Sequence, residues 1–423
     1  MSAHKANYYF PLNFFTGLIF FTLIVFAFGP WPWPSRDSLT FYIFMAFVIM
    51  AMQFGYRRGV RGGAREYRGK YSSIRLYRIG VLLTLLLFIP TLLWRAGGAK
   101  ISLDLLLDPA LAYSKSHDPT NLSGTAWIEY LRIIFAVYLY LTLPLLIVLW
   151  SRLSPTWKCI GVLAVFLEAF LWIVVGTNKG IGDILVGVFW MVALRYRGVF
   201  TLPILWKFGR VVLPIFLFFA IFFTVGQLGR SDGAEVKSTL HSLKVEVDRD
   251  GIFIKHLPIF IREGVIAFSF YLTQGYQGLC LSFDEPFIPT WGVGHSRFLT
   301  SYADKYLGTD IENSTYPARV EISTGLDSKV YWHTMFPWFA SDVTFPGTIV
   351  LIYLFSYLFA MAWKDSLEYK NPYAISIFLQ IAVLFTYMSA NNQVFQSGSG
   401  FVGFWVTLVF WVTTRGRLIQ PRR

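Results

Sequence analysis

The chain is poor in charge, in cysteine and in the short motifs that mark soluble enzymes. Only 14% of its 423 residues are charged, against about 25% in an ordinary soluble domain. Its two cysteines, Cys159 and Cys280, stand far apart in apolar stretches, which argues against a disulfide framework or a cysteine metal site. There is no HExxH, GxSxG or P-loop sequence, and GVRGG, in a basic loop, is no nucleotide fingerprint.

What the chain has instead is apolar surface: 55% hydrophobic residues and a mean hydropathy of +0.52. These residues are gathered into runs of about 17 or more, long enough to cross roughly 30 Å of hydrocarbon. The chain therefore reads as an all-α polytopic integral membrane protein, a single membrane domain over residues 1–423. Ten spans are expected, within a range of 10–12, near 13–30, 38–55, 79–95, 127–150, 159–175, 182–196, 211–229, 345–363, 372–390 and 401–414. The first run is aromatic, lacks an A-x-A-like cleavage site and is followed at once by a second, so it is expected to be a retained helix.

The net charge of +13 has a topological explanation. Residues 57–78, RRGVRGGAREYRGKYSSIRLYR, hold eight Lys/Arg and one acid, Glu66, between two apolar runs. That is the pattern of a cytoplasmic juxtamembrane loop facing anionic lipid headgroups, and the flanking spans argue against nucleic acid as a partner. It places the N- and C-termini inside and two long segments outside, residues 96–126 and 230–344. The larger one opens LGRSDGAEVKSTLHSLKVEVDRDG, which reads as a short polar helix plus a turn. Residues 264–283 are apolar but interrupted by Gln274, Gly275, Gln277 and Gly278, a pattern expected of an amphipathic or half-inserted element.

Polar groups that could do chemistry collect on that outer side. GTNKGIGD, residues 176–183, sets Lys179 beside glycines at a helix start, where a point charge and backbone amides suit phosphate. A tight turn with a snorkelling lysine explains the same residues. Arg230, Arg262, Arg297 and Arg319 offer planar forks for phosphate oxygens, with salt bridging as their competing role. Glu129 and Arg132, one turn apart, are expected to pair with each other, and Glu168 is an acid within a span.

Gln274, Tyr276, Trp332 and Trp338 combine flat apolar faces with amide groups, as a sugar ring requires; an interfacial aromatic belt is the alternative. In YWHTMFPWFASDVTFPG, residues 331–347, Asp342 and His333 are the candidate general bases. Helix capping competes for Asp342, and a plain interfacial place competes for His333.

Three stretches carry a family resemblance. FYLTQGYQGLCLSFDEPFIPTWGVG, residues 270–294, resembles the aromatic Y-x-x-G-Y-like run and T-x-G loop of the Wzy-type oligosaccharide repeat-unit (O-antigen) polymerases. FASDVTFPGTIV, residues 339–350, is similar to that family's aspartate, aromatic and glycine lead-in to a helix, with a looser spacing after Asp342. GTNKG resembles its Gly-Ser-Arg-Gly-like turn, with lysine in place of arginine.

The resemblance implies a GT-C-related glycosyltransferase in the bacterial inner membrane, acting at its periplasmic face on sugar repeat units linked to undecaprenyl pyrophosphate. Lys179, Arg230, Arg262, Arg297 and Arg319 would then face the pyrophosphate, and Asp342 or His333 would take the acceptor's proton. A Wzz-type chain-length regulator and membrane lipids are the implied partners. No cofactor is required by a pre-activated donor, although Asp284 and Glu285 leave room for a divalent metal. An O-antigen ligase, or a transporter or flippase of lipid-linked sugars, are the rival readings; the last expects more charge inside the spans than Glu168 alone.

Overall fold

The computed structural model describes residues 6–95, 111–112, 127–229, 239–240, 243, 245–251, 254–328 and 330–418. Its long elements are helices, in chain order α1 (Phe10–Phe28), α2 (Leu39–Arg61), α3 (Ser73–Arg95), α4 (Trp127–Ile134), α5 (Ala136–Val148), α6 (Pro155–Val174), α7 (Lys179–Arg195) and α8 (Leu202–Gly229). Then come α9 (Ile259–Ser282), α10 (Arg297–Leu307), α11 (Ile311–Ser314), α12 (Tyr316–Thr324), α13 (Met335–Tyr369), α14 (Pro372–Thr386) and α15 (Gly398–Thr414). Short strands β1 (Arg65–Tyr67) and β4 (Arg415–Leu418) pair antiparallel, as do β2 (Thr239–Leu240) and β3 (Val245–Glu246).

Local chemistry sets many of the helix starts. Ser38, Ser154 and Ser397 each accept from an amide of the first turn, and Asn371 accepts from those of Tyr373 and Ala374. Pro155 and Pro372 follow two of these caps, at the position where a missing N–H costs nothing.

Among the described residues five helices are long and apolar enough to cross a membrane: α1, α2, α3, α6 and α13. A sixth is counted if α4 and α5, bent by 59° at Phe135, form one span. The run expected as a straight span over 127–150 is therefore broken. The remaining four expected runs fall in α7, α8, α14 and α15. The lipid-type surface is apolar, with Phe20, Phe21 and Ile24 of α1 and Phe216, Leu217 and Ile221 of α8 exposed.

Between helices in lipid, close contact does the work that water expulsion does elsewhere. One such backbone contact is α2 on α13. In GYRRG, a Cβ on Gly55 would strike the Tyr353 carbonyl and one on Gly59 the Tyr357 carbonyl. Aromatic rings fill the centre, where Phe15 stacks on Trp190 at 5.2 Å and Phe359 on Phe378 at 4.8 Å.

The two ends of the bundle differ. At one, β1 and β4 bring residues 65–67 and 415–418 together over Asp365, which is fully buried. Asp365 accepts from the Arg65 amide at 2.9 Å, Trp411 Nε1 at 2.9 Å and Arg415 Nε at 2.7 Å. Tyr8 and Arg197 reach Glu368 at 2.7 and 3.0 Å at this same end.

The opposite end is roofed by α9. Trp31 Nε1 donates to the Ile266 carbonyl, Trp33 Nε1 to Thr273, and Thr22 bonds Tyr276 Oη at 2.9 Å. The stretch expected as an amphipathic or half-inserted element lies within α9, one continuous helix of 24 residues. Gly275 and Gly278 are its points of closest approach, to the Ser389 carbonyl and to the His333 ring. The short polar helix and turn expected after residue 230 fall largely on residues 230–238, 241–242 and 244, which lie outside the described residues. The described part of that stretch includes the β2–β3 pair.

Candidate functional site

At the roofed end a cavity of about 380 Å³ opens between α3, α4, α5, α6, α7 and α14. Its inner part is mostly apolar, with Leu139, Leu143, Val165 and Val383 beside Thr84, Thr142, Ser376 and Gln380, and its outer part carries three cations and three acids. Arg95 ends α3, Glu129 and Arg132 lie on α4, Glu168 is on α6, and Lys179 and Asp183 occupy the first turns of α7.

Arg132 does not pair with Glu129 as its spacing suggests. Its Nη2 donates to Glu168 Oε1 at 2.6 Å and its Nη1 to Thr91 at 3.4 Å, so the acid within the span has found a cation on a neighbouring helix. The side chains are 10% and 27% exposed, and breaking such a pair costs about 3–5 kcal/mol because one charge stays buried alone.

The other two cations keep spare capacity. The Arg95 guanidinium lies 4.2 Å over the Trp172 ring, and its Nη1 is buried without a hydrogen-bond partner. Lys179 is the first residue of α7, after Gly176 has turned the chain at a φ of 63°. Asp183, one turn on, accepts from Gln393 Nε2 at 3.4 Å.

Asp342 lies in a second region, next to the cavity. It precedes Thr344, a β-branched residue held at a φ of 64° where α13 kinks before Pro346. Its two oxygens take four donors: Thr290 Oγ1 at 2.6 Å, the Gly294 amide at 2.9 Å, the His295 amide at 2.9 Å and His295 Nδ1 at 2.7 Å. That exhausts a carboxylate's acceptor sites. Asp342 thus pins the loop leading into α10, and in that arrangement it does not cap the turn that follows it.

The pairing also fixes the His295 ring. A carboxylate only accepts, so Nδ1 carries a proton, and in the neutral ring Nε2 is then the acceptor. The ring stacks on Phe339 at 5.9 Å, and Asn392 Nδ2 holds the His295 carbonyl at 2.7 Å. Asn392 and Gln393 are adjacent, so one turn of chain touches both His295 and Asp183.

The remaining sequence candidates are dispersed. His333 is 1% exposed and pressed against Gly278. Burial lowers its pKa to about 4 and keeps it neutral. Arg262 stands 3.5 Å from Glu263, Arg297 3.8 Å from Glu312, and Arg319 3.6 Å from Glu285 while its guanidinium covers Tyr316. Each therefore has a carboxylate at ion-pair distance, while Arg262 Nε and both Nη atoms of Arg319 are buried without a hydrogen bond. Tyr276 is fully buried, Trp332 meets Tyr271 edge-on at 5.1 Å, and Gln274 Oε1 and Trp338 Nε1 are buried without partners. Arg230 lies outside the described residues.

Of the pyrophosphate candidates, only Lys179 lines the cavity among the described residues. Sequence reasoning missed Arg95 and Asp183 as site residues and gave Arg132 the wrong partner. The usable signal was Glu168, since an acid inside a span calls for a cation nearby. No group of three His, Cys, Asp or Glu side chains among the described residues is placed to hold a metal.

Fold and site together define a multi-pass helical membrane protein with a charged cavity inside one end of its bundle. Comparison with protein-family models, curated proteins and solved structures finds no match to this chain.

Proposed function

We propose that the chain is a membrane glycosyltransferase of the repeat-unit polymerase kind, with a ten-span, GT-C-related architecture. Its roofed end would face the periplasm and its termini the cytoplasm of a bacterial inner membrane. The observation that carries this reading is the cavity, in which Arg95, Arg132 and Lys179 stand over a mostly apolar inner wall. A lipid-linked diphosphate has that division: an anionic head, for which guanidinium forks and an ammonium are suited, and a hydrocarbon tail.

In the proposed reaction an acceptor hydroxyl attacks the anomeric carbon of the sugar joined to the lipid diphosphate. The new glycosidic C–O bond forms, the bond to the diphosphate oxygen breaks, and the acceptor's proton goes to a base. The cavity cations stabilise charge as it gathers on the leaving diphosphate. His295 Nε2 is the base, and Asp342 holds its ring, a division of labour in which the acid orients and the imidazole accepts. A chain-length regulator of the Wzz type would act as partner.

Purified protein in detergent, given a lipid-linked oligosaccharide unit, is expected to produce a ladder of longer chains. Lys179→Ala, Arg95→Ala and His295→Gln should each suppress it by about a hundredfold or more. No elongation by the wild-type protein under any acceptor condition overturns the reading.

One observation favours a second reading, a transporter of lipid-linked sugars: Arg132, Glu168, Lys179 and Asp183 put more charge inside the bundle than the sequence led one to expect. Movement of labelled lipid-linked sugar across liposomes without elongation would support it. Elongation in detergent, where there is no membrane to cross, would exclude transport as the whole activity.

A further inference from the structure

The cavity that would take the diphosphate already contains its own anions. Among the described residues its lining is balanced, three cations against Glu129, Glu168 and Asp183. Glu168 Oε1 sits 2.6 Å from Arg132 Nη2, where a phosphate oxygen of a bound headgroup would be placed. We infer that Glu168 is an internal competitor that sets the charge threshold of the site, so that a lipid diphosphate enters and a phospholipid phosphodiester is refused. This inference rests on the reading of the cavity as an anionic-headgroup site.

The argument is one of matched charges. The bilayer holds a large excess of phosphodiester headgroups, each with a single negative charge at its phosphate. On Arg132 such a group would have to replace a full carboxylate, with the freed Glu168 staying near the cavity as a like charge, and on Arg95 and Lys179 alone it meets the opposing charges of Glu129 and Asp183. It gains nothing in that exchange. A diphosphate spans two phosphorus centres and carries two or more charges. It can engage Arg132 together with Arg95, whose Nη1 has no partner, and with Lys179, so the displaced carboxylate is outweighed.

Selectivity built from repulsion against the abundant wrong ligand is a common device in specific recognition. The geometry also explains why Arg132 is tied while Arg95 and Lys179 are not. A cavity with all three cations bare would hold bulk lipid permanently.

The full-length protein in detergent would be titrated with two probes, geranylgeranyl diphosphate and didecanoyl phosphatidylglycerol, with binding read by native mass spectrometry. The wild-type protein should prefer the diphosphate by about tenfold or more. Glu168→Gln keeps an acceptor for Arg132 but removes the charge. It should tighten phosphatidylglycerol binding by about tenfold while changing diphosphate binding by less than about threefold. Glu168→Asp, which keeps the charge, should retain the preference.

If Glu168→Gln leaves phosphatidylglycerol binding as it was, or weakens both probes alike at an unchanged size-exclusion profile, the inference is wrong and the cavity reading stands. If the wild-type protein binds neither probe, or if Lys179→Met binds the diphosphate as well as wild type does, the cavity reading itself falls and the inference with it.

Discussion

The cavity and the Asp342 loop clamp lie side by side at one end of the bundle, and they use their charges in opposite ways. Asp342 spends all of its acceptor capacity on Thr290, Gly294 and His295, within 2.6 to 2.9 Å. The cavity leaves a guanidinium nitrogen of Arg95 without a partner and gives Lys179 no hydrogen bond among the described residues. Saturated groups hold a structure in place; unsaturated buried ones await a ligand or water. Buried atoms without a hydrogen bond also occur at Gln274, Trp338 and Arg319, outside the cavity; what the cavity adds is two cations with spare capacity facing one space.

Substitutions test the contrast, and the largest effect is expected at the one saturated pair inside the cavity. Arg132→Ala strands Glu168 and should cost about 3–5 kcal/mol in unfolding free energy, read as a lowered melting temperature in detergent. If Arg132→Ala melts like wild type, the pair is not the buried contact described. By contrast Lys179→Met breaks no hydrogen bond and removes only the charge opposite Asp183, so it should lower melting much less than Arg132→Ala while abolishing elongation, the signature of a binding residue.

At the clamp, Asp342→Asn turns one oxygen into a donor facing donors, and should cost about 2–3 kcal/mol. It should also move the pH profile of elongation, because the His295 ring loses the acceptor that fixes its tautomer. Unaltered stability and an unaltered profile together would remove Asp342 from both roles.

His333 provides a test by acidity. Its folded pKa, about 4, lies below the ordinary value of about 6.5, so protons bind the unfolded chain first. Its contribution to stability is complete above about pH 6.5 and is lost as pH falls towards 4. Melting temperature should therefore drop across that window, and His333→Phe should flatten the drop. Equal slopes for the two proteins would mean that His333 is not the buried neutral ring seen here.

The smallest effect is expected at Thr344. A β-branched residue at a φ of 64° is strained, and Thr344→Gly should stabilise the protein by about 1 kcal/mol after the entropic cost of glycine. A loss of stability would show that side-chain contacts of Thr344 outweigh the strain.

Much of this fold was legible in the sequence. The long apolar runs mark where the helices lie. The break at Phe135 and the continuity of α9 were not legible, because glycines in an apolar helix can equally be breaks or contact points. Gly278 became a contact point only because His333 lies against it. Lys179 was legible as a cation at a helix start. The Glu168–Arg132 and Asp342–His295 pairs were not, since their partners stand 36 and 47 positions apart in the chain.

The sequence by itself determined the solvent of this protein and the length of its helices. Transfer of apolar surface and satisfaction of backbone groups are local sums over a run of residues. Only the tertiary structure decided which cations stay free and which acid is consumed. A hydrogen bond or a Coulomb interaction depends on distance through space, and the chain sets that distance only once the helices have packed.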